Sequence, residues 1–126
     1  MVVRIATMVL RITALLALIL GIIFWVTDSA DSFIPVHMIL GILVVLSLWT
    51  AGIVAALVKG GSWGLAGAAV VLGAIVLVVG LTQKTLIPNP HWVIQVIHLL
   101  LGLLAIGLGE MIAARYRRRA AMVSAR

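Results

Sequence analysis

The sequence predicts an all-α integral membrane protein, a bundle of four transmembrane helices in a single domain over residues 1–126. Hydrophobic residues make up 65% of the chain and charged residues 10%, whereas soluble domains are about 45–50% apolar and about 25% charged. Four apolar segments each have about the 20 residues that a helix needs to cross the hydrocarbon layer. They are too long and too uniformly apolar for the alternating strands of a membrane β-barrel.

The four predicted helices follow one another with short polar connections. They span about residues 5–26, 33–58, 63–81 and 90–114, followed by a basic C-terminal tail over residues 115–126. The first segment could instead be a cleaved signal peptide with Arg4 and Arg11 as its charged region. Because no small-x-small cleavage site follows this long run, a retained helix is favoured.

Helix starts are marked by proline and by short polar residues. Pro35 and Pro90 fit the first turns of helices two and four, where a missing amide donor does no harm. Asp31 or Ser32 is the expected N-cap of helix two, and Asn89 that of helix four. The glycine-rich stretch over residues 59–64 predicts a tight turn between helices two and three.

Basic residues dominate the charge, which is +6 overall. Most of them flank apolar segments, so we expect them to anchor the protein at the lipid bilayer and not to bind nucleic acid. The chain has no cysteine, which excludes disulfides and thiolate metal ligands. Five arginines follow the last apolar segment: Arg115, Arg117, Arg118, Arg119 and Arg126.

Membrane orientation follows from where these basic residues lie. Both termini and the connection with Lys59 are expected on the cytoplasmic side. The connections over residues 27–32 and 82–90 are then expected outside, which places all three histidines in the outer half of the bundle. The expected location is the plasma membrane of a bacterium or an archaeon.

Two segments look like halves of an internal duplication. The stretch VHMILGIL at 36–43 aligns with IHLLLGLL at 97–104, so that His37 and Gly41 match His98 and Gly102. Upstream, LILGII at 18–23 resembles LVVGLT at 77–82. We therefore expect a tandem repeat of two helix pairs, related by an approximate two-fold axis along the membrane normal.

The repeated histidines are candidate metal ligands, because ionisable side chains in membrane segments are costly and face the bundle interior. Small residues follow each along its helix face: Gly41 and Gly52 after His37, and Gly102, Ala105, Gly109 and Ala113 after His98. Such a stripe leaves room for a flat ring, as a heme held by two histidines of a four-helix bundle requires. Close helix packing without any ligand would explain the same stripe.

This pattern of one histidine at the outer end of helix two and one at that of helix four resembles half of a heme A synthase. That resemblance implies heme binding through His37 and His98. Members of the family usually carry a glutamate three residues before the catalytic-half histidine, but Ile34 and Gln95 stand in those positions. Their outer cysteine pair and second bundle are also missing from this sequence. The resemblance therefore implies binding of heme b and not oxidation of a heme methyl group.

Other polar residues have secondary roles in this interpretation. Gln95 and His91 share the face of His98, and Gln95 could donate a hydrogen bond to an imidazole. His91 and Lys84 are candidate partners for heme propionates, and His91 is also the alternative second ligand. Glu110 and Arg11 are expected to form an ion pair across helices four and one. Small multidrug exporters also have four helices, and they carry their essential glutamate in helix one. Helix one of this chain has no glutamate, so a proton site of that kind at Glu110 is disfavoured.

Two functions are consistent with these features. The first is a b-type cytochrome-like protein that binds one heme near the outer face, for electron transfer or heme handling; an electron carrier is favoured over an enzyme, a question that the sequence leaves open. The second is a heme-free accessory subunit of a larger membrane complex. Both imply a partner within the membrane, either other chains of a complex or further copies of this chain.

Overall fold

The computed structural model describes residues 1–27, 31–86 and 91–124, and for Asp31, Lys84, His91 and Ser124 it describes the backbone alone. Its helices are α1 (Val2–Val26), α2 (Ile34–Leu57), α3 (Trp63–Leu86) and α4 (His91–Ser124), with a 3-10 turn over Asp31–Phe33 before α2. All four α-helices are long and apolar enough to cross a membrane. The predicted all-α bundle of four transmembrane helices is therefore confirmed at this level.

Two helices run further than the apolar pattern predicts. Helix α3 continues past Leu81 to Leu86, and α4 continues past Ala114 through the basic residues to Ser124. Alanine and arginine are strong helix formers, so the loss of apolar character ends the membrane-buried part and not the helix. With 34 residues, α4 is about 50 Å long, which exceeds the roughly 30 Å hydrocarbon layer.

Helix α2 begins differently from the prediction. Pro35 does lie in its first turn, as expected, but the N-cap is Phe33, with no capping hydrogen bond from a side chain. Ser32, a predicted cap, instead belongs to the 3-10 turn that leads directly into the helix. Asn89 and Pro90, the predicted start of α4, lie outside the described residues.

The tight turn between α2 and α3 is built from glycine, as predicted. Gly60 has φ of +76°, a backbone conformation that other residues rarely adopt. A Cβ at Gly61 would overlap the carbonyl oxygen of Ala56, and its amide donates to Val58 O at 2.7 Å. Ser62 Oγ then accepts from the amide of Leu65 at 3.4 Å, at the start of α3.

The bundle is packed unevenly along its length. Helices α2 and α4 contact each other across the centre, and α1 and α3 each pack against both. The largest fully buried side chains lie in the half that holds the start of α1 and the end of α2: Val3, Leu10, Val45, Leu48 and Ile112. In the opposite half, over residues 17–43 and 77–104, Ile94 is the single buried residue among those described.

One ion pair joins α1 to α4. Arg11 Nε donates to Glu110 Oε1 at 2.5 Å, and an Nη donates to Oε2 at 2.7 Å. The expected pair is thus confirmed, in the two-pronged geometry that arginine and carboxylate favour. Its side chains remain 52% and 38% exposed, so the pair lies on the outside of the bundle.

Trp49 of α2 donates a hydrogen bond to α3, and Gly73 of α3 leaves space for its indole ring. The indole Nε1 donates to Val70 O at 3.2 Å. A Cβ at Gly73 would overlap that Nε1 atom and lie 2.8 Å from Val45 Cγ1. Only glycine therefore fits beneath the indole without a shift of α2 or α3.

Gly73→Ala should lower the stability of the bundle, because the added methyl forces the indole out and breaks its hydrogen bond. Overpacking of this kind costs about 1–3 kcal/mol. The measurement is the apparent melting temperature of the full chain in detergent. Gly67→Ala is the matched control on the same helix, since a Cβ there meets nothing within 4 Å. If both variants melt together with the parent, the proposed constraint at Gly73 is wrong.

Candidate functional site

The two repeated histidines face each other at one end of the bundle. His37 lies in the first turn of α2, and His98 lies two turns into α4. Their ring centroids are 6.3 Å apart, with 59° between the ring planes. Because α2 and α4 are the pair that meets across the centre, the rings are brought together in the bundle interior.

Each ring carries a buried nitrogen that has no hydrogen-bond partner among the described residues. The Nδ1 atoms of His37 and His98 are both buried, and neither has a hydrogen-bond partner among the described residues. Gln95, a half-buried residue one turn before His98, does not provide one. Leaving a buried polar atom unpaired costs about 1–3 kcal/mol, so two of them in one place need an explanation.

His37 is held from the side of α1. The ring of Phe24 packs edge-on against the imidazole, with centroids 5.5 Å apart. Gly21, about one turn earlier on α1, presents bare backbone to the imidazole. A Cβ at Gly21 would lie 3.6 Å from His37 Cε1, which is ordinary van der Waals contact.

His98 is held in the same way by α3, but more tightly. A Cβ at Gly80 would lie 2.9 Å from His98 Cε1 and 3.6 Å from Nε2. Each imidazole thus rests on a glycine of the helix before its own. The sequence comparison aligned Gly21 with Gly80, but it gave no sign that they touch the histidines, since contact between helices leaves no mark in local spacing.

The small-residue stripes below the histidines divide into two parts. At Gly41 and Gly102, one turn after each histidine, a Cβ would meet nothing within 4 Å. Further along, a Cβ at Gly52 would lie 3.0 Å from Ala69 Cβ, and one at Gly109 would lie 3.0 Å from Leu10 Cδ1. Helix packing therefore explains the lower glycines, and the space beside Gly41 and Gly102 is open.

The structure describes the remaining predicted site residues only in part. His91 begins α4, and its side chain, like that of Lys84, lies outside the described residues. It is seven residues before His98, about 10 Å along the helix axis. Among the described residues, no group of three or more histidine, aspartate and glutamate side chains could hold a metal ion. The histidine pair is therefore the candidate site.

No model of a protein family, no curated protein and no solved structure matches this chain. A function must therefore be argued from the geometry of the histidine pair. That geometry consists of two facing rings, two buried nitrogens without a partner among the described residues, and open space at the glycine one turn after each histidine.

Gly80→Ala should displace the His98 imidazole, because its methyl would come closer to Cε1 than real contacts allow. Gly21→Ala is the matched control, since the corresponding methyl makes ordinary contact with His37. With three histidines in the chain, imidazole nitrogen NMR of histidine-labelled protein resolves the outcome. The His98 resonances should move in Gly80→Ala, and the His37 resonances should stay nearly unchanged in Gly21→Ala. Equal shifts in the two variants would contradict the asymmetry.

Proposed function

We propose that the chain is a membrane b-type cytochrome-like protein that holds one heme between His37 and His98. The facing pair of rings carries this proposal. A protein imidazole binds a first-row metal at about 2.0–2.1 Å, as for zinc, so two imidazoles on opposite sides of one ion have ring centres roughly 6 Å apart. The observed centroid distance of 6.3 Å fits that requirement.

The surroundings of the pair also fit a flat macrocycle. Open space lies beside Gly41 and Gly102, on the same helix faces as the two histidines. The half of the bundle around them has little buried packing among its described residues. The unpaired ring nitrogens give each imidazole a free position for a metal or a hydrogen-bond partner. Four-helix bundles commonly build cofactor sites from side chains on facing helices.

His37 and His98 would together hold the heme iron, which would favour electron transfer or heme handling over activation of a small ligand. When bound, such a heme supplies a one-electron iron couple whose potential its axial ligands help to set. Ile34 and Gln95 leave no carboxylate one turn before either histidine. We therefore apply the half-heme-A-synthase resemblance to heme binding alone and do not extend it to oxidation of a heme methyl group.

Orientation and repeat belong to the same proposal. In this proposal both termini are cytoplasmic and the histidines lie toward the outer side of a bacterial or archaeal plasma membrane, which the basic residues at both ends favour. An internal duplication accounts for the matching glycine contacts of His37 with Gly21 and of His98 with Gly80. In this proposal His91 and Lys84 are the candidate partners of the heme propionates, and Gln95 is a candidate hydrogen-bond partner of an imidazole.

A heme-free subunit of a larger membrane complex is the second candidate, and the exposed ion pair favours it. Arg11 and Glu110 lie within helices that can span the membrane, yet they face outward from the bundle. Charges on a lipid-facing surface are costly, and intramembrane charges usually face protein or water. A neighbouring chain, either another protein or a second copy, would cover the pair.

The reduced-minus-oxidised visible spectrum of the purified full chain, expressed with heme available, tests the first candidate. Sharp bands of a six-coordinate b-type heme are expected, at about one heme per chain. His37→Ala and His98→Ala should each abolish the low-spin spectrum, because each removes an axial ligand. His91→Ala is the control and should retain it.

Three outcomes would count against this assignment. A colourless protein after expression with heme would overturn heme binding. Loss of the spectrum in His91→Ala but not in His98→Ala would move the second ligand to His91. A colourless chain that elutes in native lipid nanodiscs as an assembly, and dissociates when Arg11 and Glu110 are both changed to leucine, would support the subunit instead.

A further inference from the structure

A second polar site lies at the end of the bundle opposite the histidines. At that end the apolar part of α4 is followed by its basic part, which lies near the turn between α2 and α3. Arg115 is 17 positions after His98, about 26 Å along the helix axis. Side chains and backbone of three helices and the turn line a narrow pocket: Gly52, Ala55, Ser62, Leu65, Ile112, Arg115, Tyr116 and Arg119.

Among the described residues, none neutralises the positive charge of this pocket. No hydrogen bond or ion pair joins the side chains of Arg115, Tyr116 and Arg119 to another described residue. Glu110, the acid nearest in sequence, has both oxygens bonded to Arg11. The other two acids of the chain stand in or next to the connection before α2, at the opposite end of that helix.

The polar groups converge from different elements. Arg115 and Arg119 are four residues apart, so they share one face of α4, and the Tyr116 ring lies beside them in the pocket lining. Ser62 approaches from the other side, immediately before the start of α3. The enclosed part holds about 10 Å³, which is room for about one water molecule. A larger anion would therefore be held at the mouth, between the two guanidinium groups.

We propose that this pocket binds the phosphate group of an anionic lipid headgroup. Two guanidinium groups with free donors are suited to phosphate oxygens, which they can bind in pairs. A lipid is the favoured source, because the site lies where the apolar span of α4 ends and beside Trp63, which is 64% exposed. The surplus of arginine at this end provides the field that attracts an anionic leaflet.

The test is a titration of the full chain in neutral detergent with a short-chain phosphatidic acid, followed by native mass spectrometry. One retained lipid per chain is expected at saturation. The double variant R115Q/R119Q should bind at least about tenfold more weakly, because it removes both phosphate donors. Tyr116→Phe, which removes one hydroxyl and leaves the charge intact, should weaken binding less.

The matched control is R117Q/R118Q, which removes the same net charge from arginines that do not line the pocket. It should bind within about twofold of the parent if the pocket is specific. Equal losses of lipid affinity in the two double variants would show that general surface charge explains the binding, and would overturn the proposal. Saturable binding of inorganic phosphate that excludes the lipid would overturn the lipid as its source. Circular dichroism of each variant confirms that it is folded.

Discussion

The close approach of α2 and α4 is the contact on which the rest of the structure depends. Glycine lies at this contact on both helices: a Cβ at Gly52 would lie 3.7 Å from Ile112 Cδ1, and one at Gly109 would lie 3.7 Å from Leu48 Cδ1, which is ordinary van der Waals contact. The same glycines let α3 and α1 pack closely, because these two Cβ atoms would lie only 3.0 Å from Ala69 Cβ and from Leu10 Cδ1. Lipid tails are as apolar as leucine, so helices in a membrane associate by close packing and not by hydrophobic burial. The same two helices carry His37 and His98, and their contact in one half of the bundle sets the separation of the imidazoles in the other.

Much of the fold follows from the sequence because lipid leaves the backbone few alternatives. Without water, each apolar segment must satisfy its own amides, so its length predicts a helix. Helix ends are less predictable, since outside the hydrocarbon layer this rule no longer applies. Arginine and alanine propensity then carries α4 on to Ser124, and a 3-10 turn replaces the expected side-chain cap before α2. The sequence did predict the Arg11–Glu110 pair, because two opposite charges at similar depth have few other partners.

The candidate site was only partly accessible from sequence. The repeated spacing of histidine and glycine identified His37 and His98, and the structure sets their rings face to face. The sequence pattern assigned the same role to all glycines of each stripe, whereas neighbouring side chains occupy the space beside Gly52 and Gly109. The contacts of Gly21 and Gly80 with the imidazoles depend on how α1 and α3 lie against α2 and α4. Periodicity along one helix contains no information about the rotation of the next.

The two halves of the bundle therefore differ in what they contribute. Buried side chains such as Leu10 and Leu48 are concentrated in the half that ends in the arginines, and this half supplies most of the buried packing between the described helices. The half with the histidines is then free to keep open space and unpaired nitrogens, which a fully packed core would not tolerate. A site built on rigid helices whose register is fixed elsewhere keeps its geometry before a ligand arrives. The residues that stabilise the bundle and the residues of the candidate site thus lie in different halves of the same four helices.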